Sequence, residues 1–242
     1  MERLEIKNNQ NEKLVVEINE PKDIIGPTML ILHALTGKKE NKTINFLAKR
    51  LPEFGYKTIQ FDFSGHGESG GNIEEATVSK QLEDIKSVIS QLKIKELIII
   101  GNSFSVITAL AFSKEKDVKG LILLGGRAKY LEYIKTLEKI NTKYKLIDNI
   151  FIDESFVDDY KKYDPIKNIS GLDIPILIIH GENDEIIPKE DAQILYNSCP
   201  SKKKNLKIIK GADHRYSDIK YKENILREII LFLQKIKINR NI

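Results

Sequence analysis

The sequence predicts an α/β fold: a mostly parallel central sheet, opened by an antiparallel hairpin and covered by helices on both faces. Three observations predict it. Short, continuously apolar runs recur along the chain, as in strands buried on both faces. Between them, apolar residues return at helical spacing. The length of 242 residues suits one domain of this kind, expected to run from 1 to 242.

The elements follow in order. Leu4 and Ile6, then Leu14, Val16 and Ile18, alternate with polar residues on either side of a polar stretch over 8–12, which is a hairpin pattern. Pro21 to Pro27 is a break. Met29 to Leu32 is continuously apolar and reads as a buried strand. Ile44, Leu47, Ala48 and Leu51 mark a helix, and Thr58 to Phe63 a strand. Val78, Leu82, Ile85, Val88, Ile89 and Leu92 mark an amphipathic helix. Leu97 to Ile100 is a strand, Val106 to Phe112 an apolar helix, and Gly120 to Leu124 a strand. Residues 127–170 interrupt this rhythm. Tyr130, Ile134, Leu137 and Ile140 suggest one or two helices there, so the stretch reads as a small helical cap insertion. The alternation then resumes with a strand at Ile174 to Ile179, a helix at Lys189 to Asn197 and a strand at Leu206 to Ile209. A last helix carries Ile225, Leu226, Ile229, Ile230, Leu233 and Ile236. Strand–helix pairs of this kind build a parallel sheet, whose ligands bind beyond the carboxyl ends of the strands.

Composition narrows the function. Lys+Arg is 39 and Asp+Glu 35, a net charge of +4, too small and too evenly spread for a nucleic-acid partner. The basic runs 161–162 and 202–204 read as solvated turns. Cys199 is the one cysteine, so no intramolecular disulfide forms. The first residues lack the apolar core of a signal peptide. No apolar run approaches the ~18 residues that span a bilayer. The expectation is a cytoplasmic enzyme without integral membrane association. A homodimer is left open.

The strand ends carry the chemistry. Leu97 to Ile100 leads into Gly101-Asn102-Ser103-Phe104-Ser105 and then a helix. A serine on a sharp strand-to-helix turn is a nucleophile elbow. The turn projects the hydroxyl away from the backbone and aims the helix N-terminus at developing negative charge. It strains the serine backbone and requires small neighbours two positions away, here Gly101 and Ser105. The strand at 174–179 leads to His180-Gly181-Glu182-Asn183-Asp184, and the strand at 206–209 to Gly211-Ala212-Asp213-His214. The order Ser103, Asp184, His214 is that of a hydrolytic triad at the ends of parallel strands. His214 takes the Ser103 proton, and Asp184 fixes its tautomer and stabilises the imidazolium. Asp213, Glu182 and Glu185 are alternatives to Asp184. His33, His66 and His180 read as structural. By position, the N–H of Leu35, in the loop 33–37, joins that of Phe104 to form an oxyanion hole. The glycine-rich stretch 62–69 matches no phosphate-loop spacing and reads as a structural turn.

These segments together resemble the α/β-hydrolase superfamily, and within it the compact esterases that include cinnamoyl (feruloyl) esterases and monoacylglycerol lipases. The resemblance rests on HALTG at 33–37, FDFSGHGESGG at 61–71, GNSFS at 101–105, YDPI at 163–166, HGENDEIIP at 180–188 and GADH at 211–214. It implies a Ser103–His214–Asp184 triad, an oxyanion hole from Leu35 and Phe104, and a small-molecule ester substrate. The chain departs from the family twice: Ala34 and Ser105 stand where glycine is usual. The reaction expected is cleavage of small to medium acyl or aryl esters through an acyl-enzyme, with no cofactor and no metal. Tyr130, Tyr133 and Tyr144 are candidate substrate-binding residues, or packing residues of the cap. Thioester cleavage, acyl transfer and oligopeptidase-like amide cleavage are alternatives on the same triad. A non-catalytic binding protein is the alternative from another class.

Overall fold

Eight strands form one sheet, in the order β1 (Glu2–Lys7), β2 (Lys13–Asn19), β4 (Thr58–Phe61), β3 (Thr28–Leu32), β5 (Leu97–Asn102), β6 (Val118–Leu124), β10 (Ile176–Gly181), β11 (Lys204–Ile209). The computed structural model describes residues 1–115, 117–141, 143–145 and 151–236. β1 (Glu2–Lys7) and β2 (Lys13–Asn19) are the antiparallel hairpin, and β2 pairs antiparallel with β4. From β3 (Thr28–Leu32) and β4 (Thr58–Phe61) through β5 (Leu97–Asn102), β6 (Val118–Leu124), β10 (Ile176–Gly181) and β11 (Lys204–Ile209), the pairing is parallel. The mostly parallel sheet and its hairpin are thus as the sequence predicts.

The continuous apolar runs are explained by two buried faces. Leu30, Leu32, Leu97 and Ile99 point into one apolar cluster, and Met29, Ile31, Ile98 and Ile100 into another. The first cluster is closed by α2 (Val78–Gln91), α3 (Ser105–Phe112) and α7 (Lys189–Ser198). The second is closed by α1 (Lys42–Arg50) and α8 (Ile219–Ile236). Thr77 caps α2 by accepting the Lys80 N–H at 3.2 Å.

The stretch between β6 and β10 corrects one expectation, because it is not simply helical. After α4 (Tyr130–Thr136) the chain turns extended at Leu137 and forms a three-stranded antiparallel sheet of β7 (Lys139–Ile140), β8 (Lys143–Lys145) and β9 (Phe151–Asp153). Then come α5 (Glu154–Tyr160) and α6 (Pro165–Ile169). Ile140, counted as a helical position, lies in β7. Strands this short owe their form to cross-strand partners rather than to a local apolar pattern. Here the Lys139 ammonium reaches Glu154 at 3.1 Å and Tyr144 at 3.4 Å. Residues 142 and 146–150 of the expected cap lie outside the described residues.

Candidate active site

The turn after β5 holds Ser103 at φ +55°, the left-handed region that costs a non-glycine residue free energy. Local contacts enforce it. The Ser103 N–H donates to Leu124 O at 2.7 Å, and the Ser103 carbonyl accepts from the Val106 N–H at 3.1 Å. Gly101 is required by close approach, since a Cβ there would lie 2.9 Å from Ser105 O and 3.0 Å from Ala109 Cβ. Ser105 fits where glycine is usual. It is fully buried and its backbone needs no positive φ. Its hydroxyl accepts the Asn102 N–H at 2.9 Å and faces Leu32 O at 3.0 Å and Asn102 O at 3.1 Å. The extra side chain thereby ties the turn to the end of β3. Ala34 likewise needs no positive φ.

The loops after β10 and β11 are stitched together. Asn183 N–H donates to Ala212 O at 2.9 Å. Gly211 N–H donates to Glu182 Oε2 at 2.9 Å and His214 N–H to Glu185 Oε2 at 3.2 Å. Gly181 permits this closeness, because a Cβ there would lie 2.5 Å from Ala212 O. Glu182 and Glu185 are therefore spent on backbone, and Asp213 on Ser217, whose N–H it accepts at 2.8 Å. Of the four carboxylates weighed as partner for His214, Asp184 is the one on its ring.

The structure brings Ser103, His214 and Asp184 together. Ser103 Oγ lies 3.0 Å from His214 Nε2, and His214 Nδ1 lies 2.7 Å from Asp184 Oδ2. The Asp184 side chain is fully buried and that of His214 is 10% exposed. Burial alone would raise the Asp184 pKa. Hydrogen bonds from His180, His214 and the Ile187 N–H outweigh it and hold the carboxyl well below the usual carboxylate range. Asp184 Oδ1 accepts the N–H groups of Ile186 at 3.0 Å and Ile187 at 2.7 Å.

Leu35 sits in the loop after β3, and the register of Leu32 with Gly101 sets this loop beside the Ser103 turn. Among the described residues, neither the Leu35 nor the Phe104 N–H has a protein acceptor. Three groups hold the Leu35 loop from behind. His33 is buried and accepts the Phe63 N–H at Nε2, 3.0 Å, while its Nδ1 donates to Ala34 O at 2.7 Å. Burial, and then the charge of His66, push the His33 pKa down to about 3, so it is a neutral strut. The ring nitrogens of His66 face Ser64 O and Leu35 O. Lys39, fully buried, places its ammonium 3.0 Å from the equally buried Asp62 and 2.5 Å from Glu40 and Glu68. Glu40, Asp62 and Glu68 are the one acidic group of metal-binding dimensions among the described residues, and the Lys39 ammonium already sits between them.

A cleft of about 450 Å³ opens over Ser103 and His214. Its wall runs from Ala34 and Thr36 past Asn102 and Ile186 to Lys42 and Arg215. Tyr130, Tyr133 and Tyr144 do not line it. They pack with Phe104, Ile107, Phe156 and Tyr160 in a third apolar cluster. The Tyr130 ring meets Phe104 edge-on at 5.4 Å and lies 4.4 Å from Tyr160. Arg127 stacks over Tyr133 at 4.1 Å and donates to Ile186 O at 2.7 Å. Two contacts escaped the sequence reading: the burial of Lys39 against Asp62, and the position of His180, whose Nε2 is 3.1 Å from Asp184 Oδ2.

Comparison with known proteins fits this geometry. The family model described as the alpha/beta hydrolase fold matches residues 27–149, half of the chain. The chain belongs to the α/β-hydrolase fold family. A second model, described as serine aminopeptidase S33, matches residues 160–217. Human mitochondrial palmitoyl-protein thioesterase ABHD10 is 26% identical over 177 residues, covering 66% of this chain and 58% of that protein. An acyl transferase of Photobacterium leiognathi is 26% identical over 188 residues, 69% of this chain and 60% of its own. The chain thus spans about three fifths of the length of these two curated relatives. Among solved structures, Est1E from Butyrivibrio proteoclasticus with bound ferulic acid superposes with a TM-score of 0.87 at 23% identity, covering 98% of this chain and 100% of that one. Mouse ABHD10 gives 0.85 at 18% identity, covering 97% and 99%. At these identities the two structures show the fold. Among the described residues, no helix is long and apolar enough to cross a membrane.

Proposed function

We propose that this α/β hydrolase is a cytoplasmic serine esterase that cleaves carboxylic esters of small to medium acyl or aryl groups through an acyl-enzyme on Ser103. One observation carries the reading. A strained serine, at φ +55°, has its hydroxyl 3.0 Å from an imidazole whose other nitrogen is 2.7 Å from a buried carboxylate. Neutral His214 accepts the Ser103 proton as Oγ attacks the acyl carbon. The Leu35 and Phe104 N–H groups receive the tetrahedral oxyanion. His214 then protonates the departing alcohol. Water, deprotonated by the same imidazole, attacks the acyl carbon, and the acid leaves Ser103. Asp184 keeps the Nδ1–H tautomer and balances the imidazolium.

The whole chain acts as one domain, and the stretch 127–170 serves as its cap. Tyr130, Tyr133 and Tyr144 enter the proposal as the wall that seats this cap behind Phe104. Bound ferulic acid in the similar Est1E structure supports an aryl acyl group. A second reading, thioester cleavage on the same three residues, is favoured by the name of the ABHD10 relatives.

The test pairs fluorophosphonate labelling with hydrolysis of matched ester, thioester and anilide substrates. The native chain should be labelled and turn over esters, and Ser103→Ala should lose the label and about 10⁴-fold or more in kcat/KM. A native chain that neither labels nor hydrolyses, beside a control hydrolase that does both, overturns the proposal. Faster thioester than ester turnover selects the second reading.

A further inference from the structure

His180 is the penultimate residue of β10 and is fully buried. Its Nε2 lies 2.9 Å from Ile187 O and 3.1 Å from Asp184 Oδ2. The same Oδ2 lies 2.7 Å from His214 Nδ1, so one carboxylate oxygen stands between two imidazoles. Both neighbours of His180 Nε2 are acceptors, so this nitrogen carries the proton. His180 Nδ1 is buried with no partner among the described residues. A cationic His180 would strand a second N–H there, so the ring is neutral.

We propose that His180 is a positioning residue for Asp184: its Nε2–H pins Oδ2 against His214 and draws off part of the carboxylate charge. The inference rests on the Ser103 reading above. Its physical content is a balance. Each N–H that Asp184 accepts makes the carboxylate a weaker partner for the imidazolium. Ile186 and Ile187 supply two such groups outright, and His180 adds a share of the Nε2–H that it donates to Ile187 O, leaving His214 the last. The other charged groups around this pocket are engaged elsewhere. Asp213 is bound to Ser217, Glu182 and Glu185 hold backbone N–H groups, and Asp191 accepts the Ala128 N–H. Arg127 donates to Ile186 O, and the buried Tyr216 hydroxyl faces Ile179 O. Among the described residues, His180 is thus the one side chain besides His214 that meets Asp184 Oδ2.

The experiment is a pH profile of kcat/KM for ester hydrolysis in three variants of the full chain. Gln places its amide nitrogen four bonds from Cα, as histidine places Nε2, whereas Asn falls one bond short. In His180→Phe, kcat/KM should fall about ten- to a hundredfold, the rate equivalent of one hydrogen bond to a charged group. Its acid limb should move up by about half a pH unit or more, because a less shared carboxylate favours imidazolium. His180→Asn should follow Phe, and His180→Gln should return both rate and limb toward the native values. An unmoved limb in all three variants, or rescue by Asn equal to rescue by Gln, overturns the proposal. Nitrogen-15 histidine spectra of the native protein test it without any substitution. They should show His180 as a neutral Nε2–H tautomer throughout the titration of His214. A proton on Nδ1, or a His180 that titrates, overturns it. These spectra need no turnover, so failure of this inference is told apart from failure of the esterase reading.

Discussion

Ser105→Gly converts the elbow to the residue usual at that position, and the structure predicts that this costs stability. The Ser105 hydroxyl accepts one part-buried N–H, from Asn102 at 2.9 Å, and offers its proton to Leu32 O at 3.0 Å. Each hydrogen bond contributes a net ~1 kcal/mol. Glycine in the first turn of α3 adds about 0.5–1 kcal/mol of chain entropy. The sum is about 3 kcal/mol. For a chain of this length each kcal/mol moves the thermal midpoint by ~2–4 °C, so Ser105→Gly should melt roughly 6–12 °C lower. Ser105→Ala isolates the hydroxyl and should show about two thirds of that loss. Circular-dichroism melts and urea titrations measure both. Ser105 touches none of the reacting groups, so kcat should stay within about threefold, under about 1 kcal/mol of barrier. A Ser105→Gly midpoint within about 2 °C of native refutes the claim that this hydroxyl ties the elbow to β3.

Two further outcomes follow from buried charge. Lys39→Met removes the cation beside Asp62, and both side chains are fully buried. Uncompensated, the carboxylate should destabilise the chain by about 3–5 kcal/mol in urea unfolding. Adding Asp62→Asn should recover part of the loss, and a double mutant no more stable than Lys39→Met contradicts the pairing. Asp184 contributes to acid sensitivity. Its folded pKa is depressed, so the folded chain binds this proton less readily than the unfolded one. Its stabilisation is full above the ordinary carboxylate range and is lost as pH falls through and below it. Between about pH 5 and pH 3 the native midpoint should drop more steeply than that of Asp184→Asn, which has no proton to gain. Parallel profiles would contradict this.

Much of the architecture was legible because its signals are local. The runs Met29–Leu32 and Leu97–Ile100 are apolar at consecutive positions, the pattern of a short strand with two covered faces. The positions of Ser103, Asp184 and His214 were readable as polar residues following such runs. Other features depend on contacts across the chain. Nothing in Gly37-Lys38-Lys39-Glu40 marks one lysine for burial, since that depends on Asp62 arriving from β4. His180 reads only as structural until the loop at 183–187 folds back and puts Asp184 against its ring. The short strands β7, β8 and β9 lack the length to show a period of two, and Ile140 fell by chance at a helical spacing after Ile134 and Leu137. The three tyrosines had an aromatic character suited to lining or to packing, and only the placement of Phe104 distinguishes the two.

Phe104 belongs to two assemblies at once. Its amide borders the strained serine, while its ring is wedged among Tyr130, Phe156 and Tyr160 at 5.4, 5.8 and 5.9 Å. Any ligand that levers those rings apart also tilts the peptide following Ser103. A poorly shaped acyl group would therefore be discriminated against as charge develops on its carbonyl, and its penalty would appear in turnover more than in occupancy.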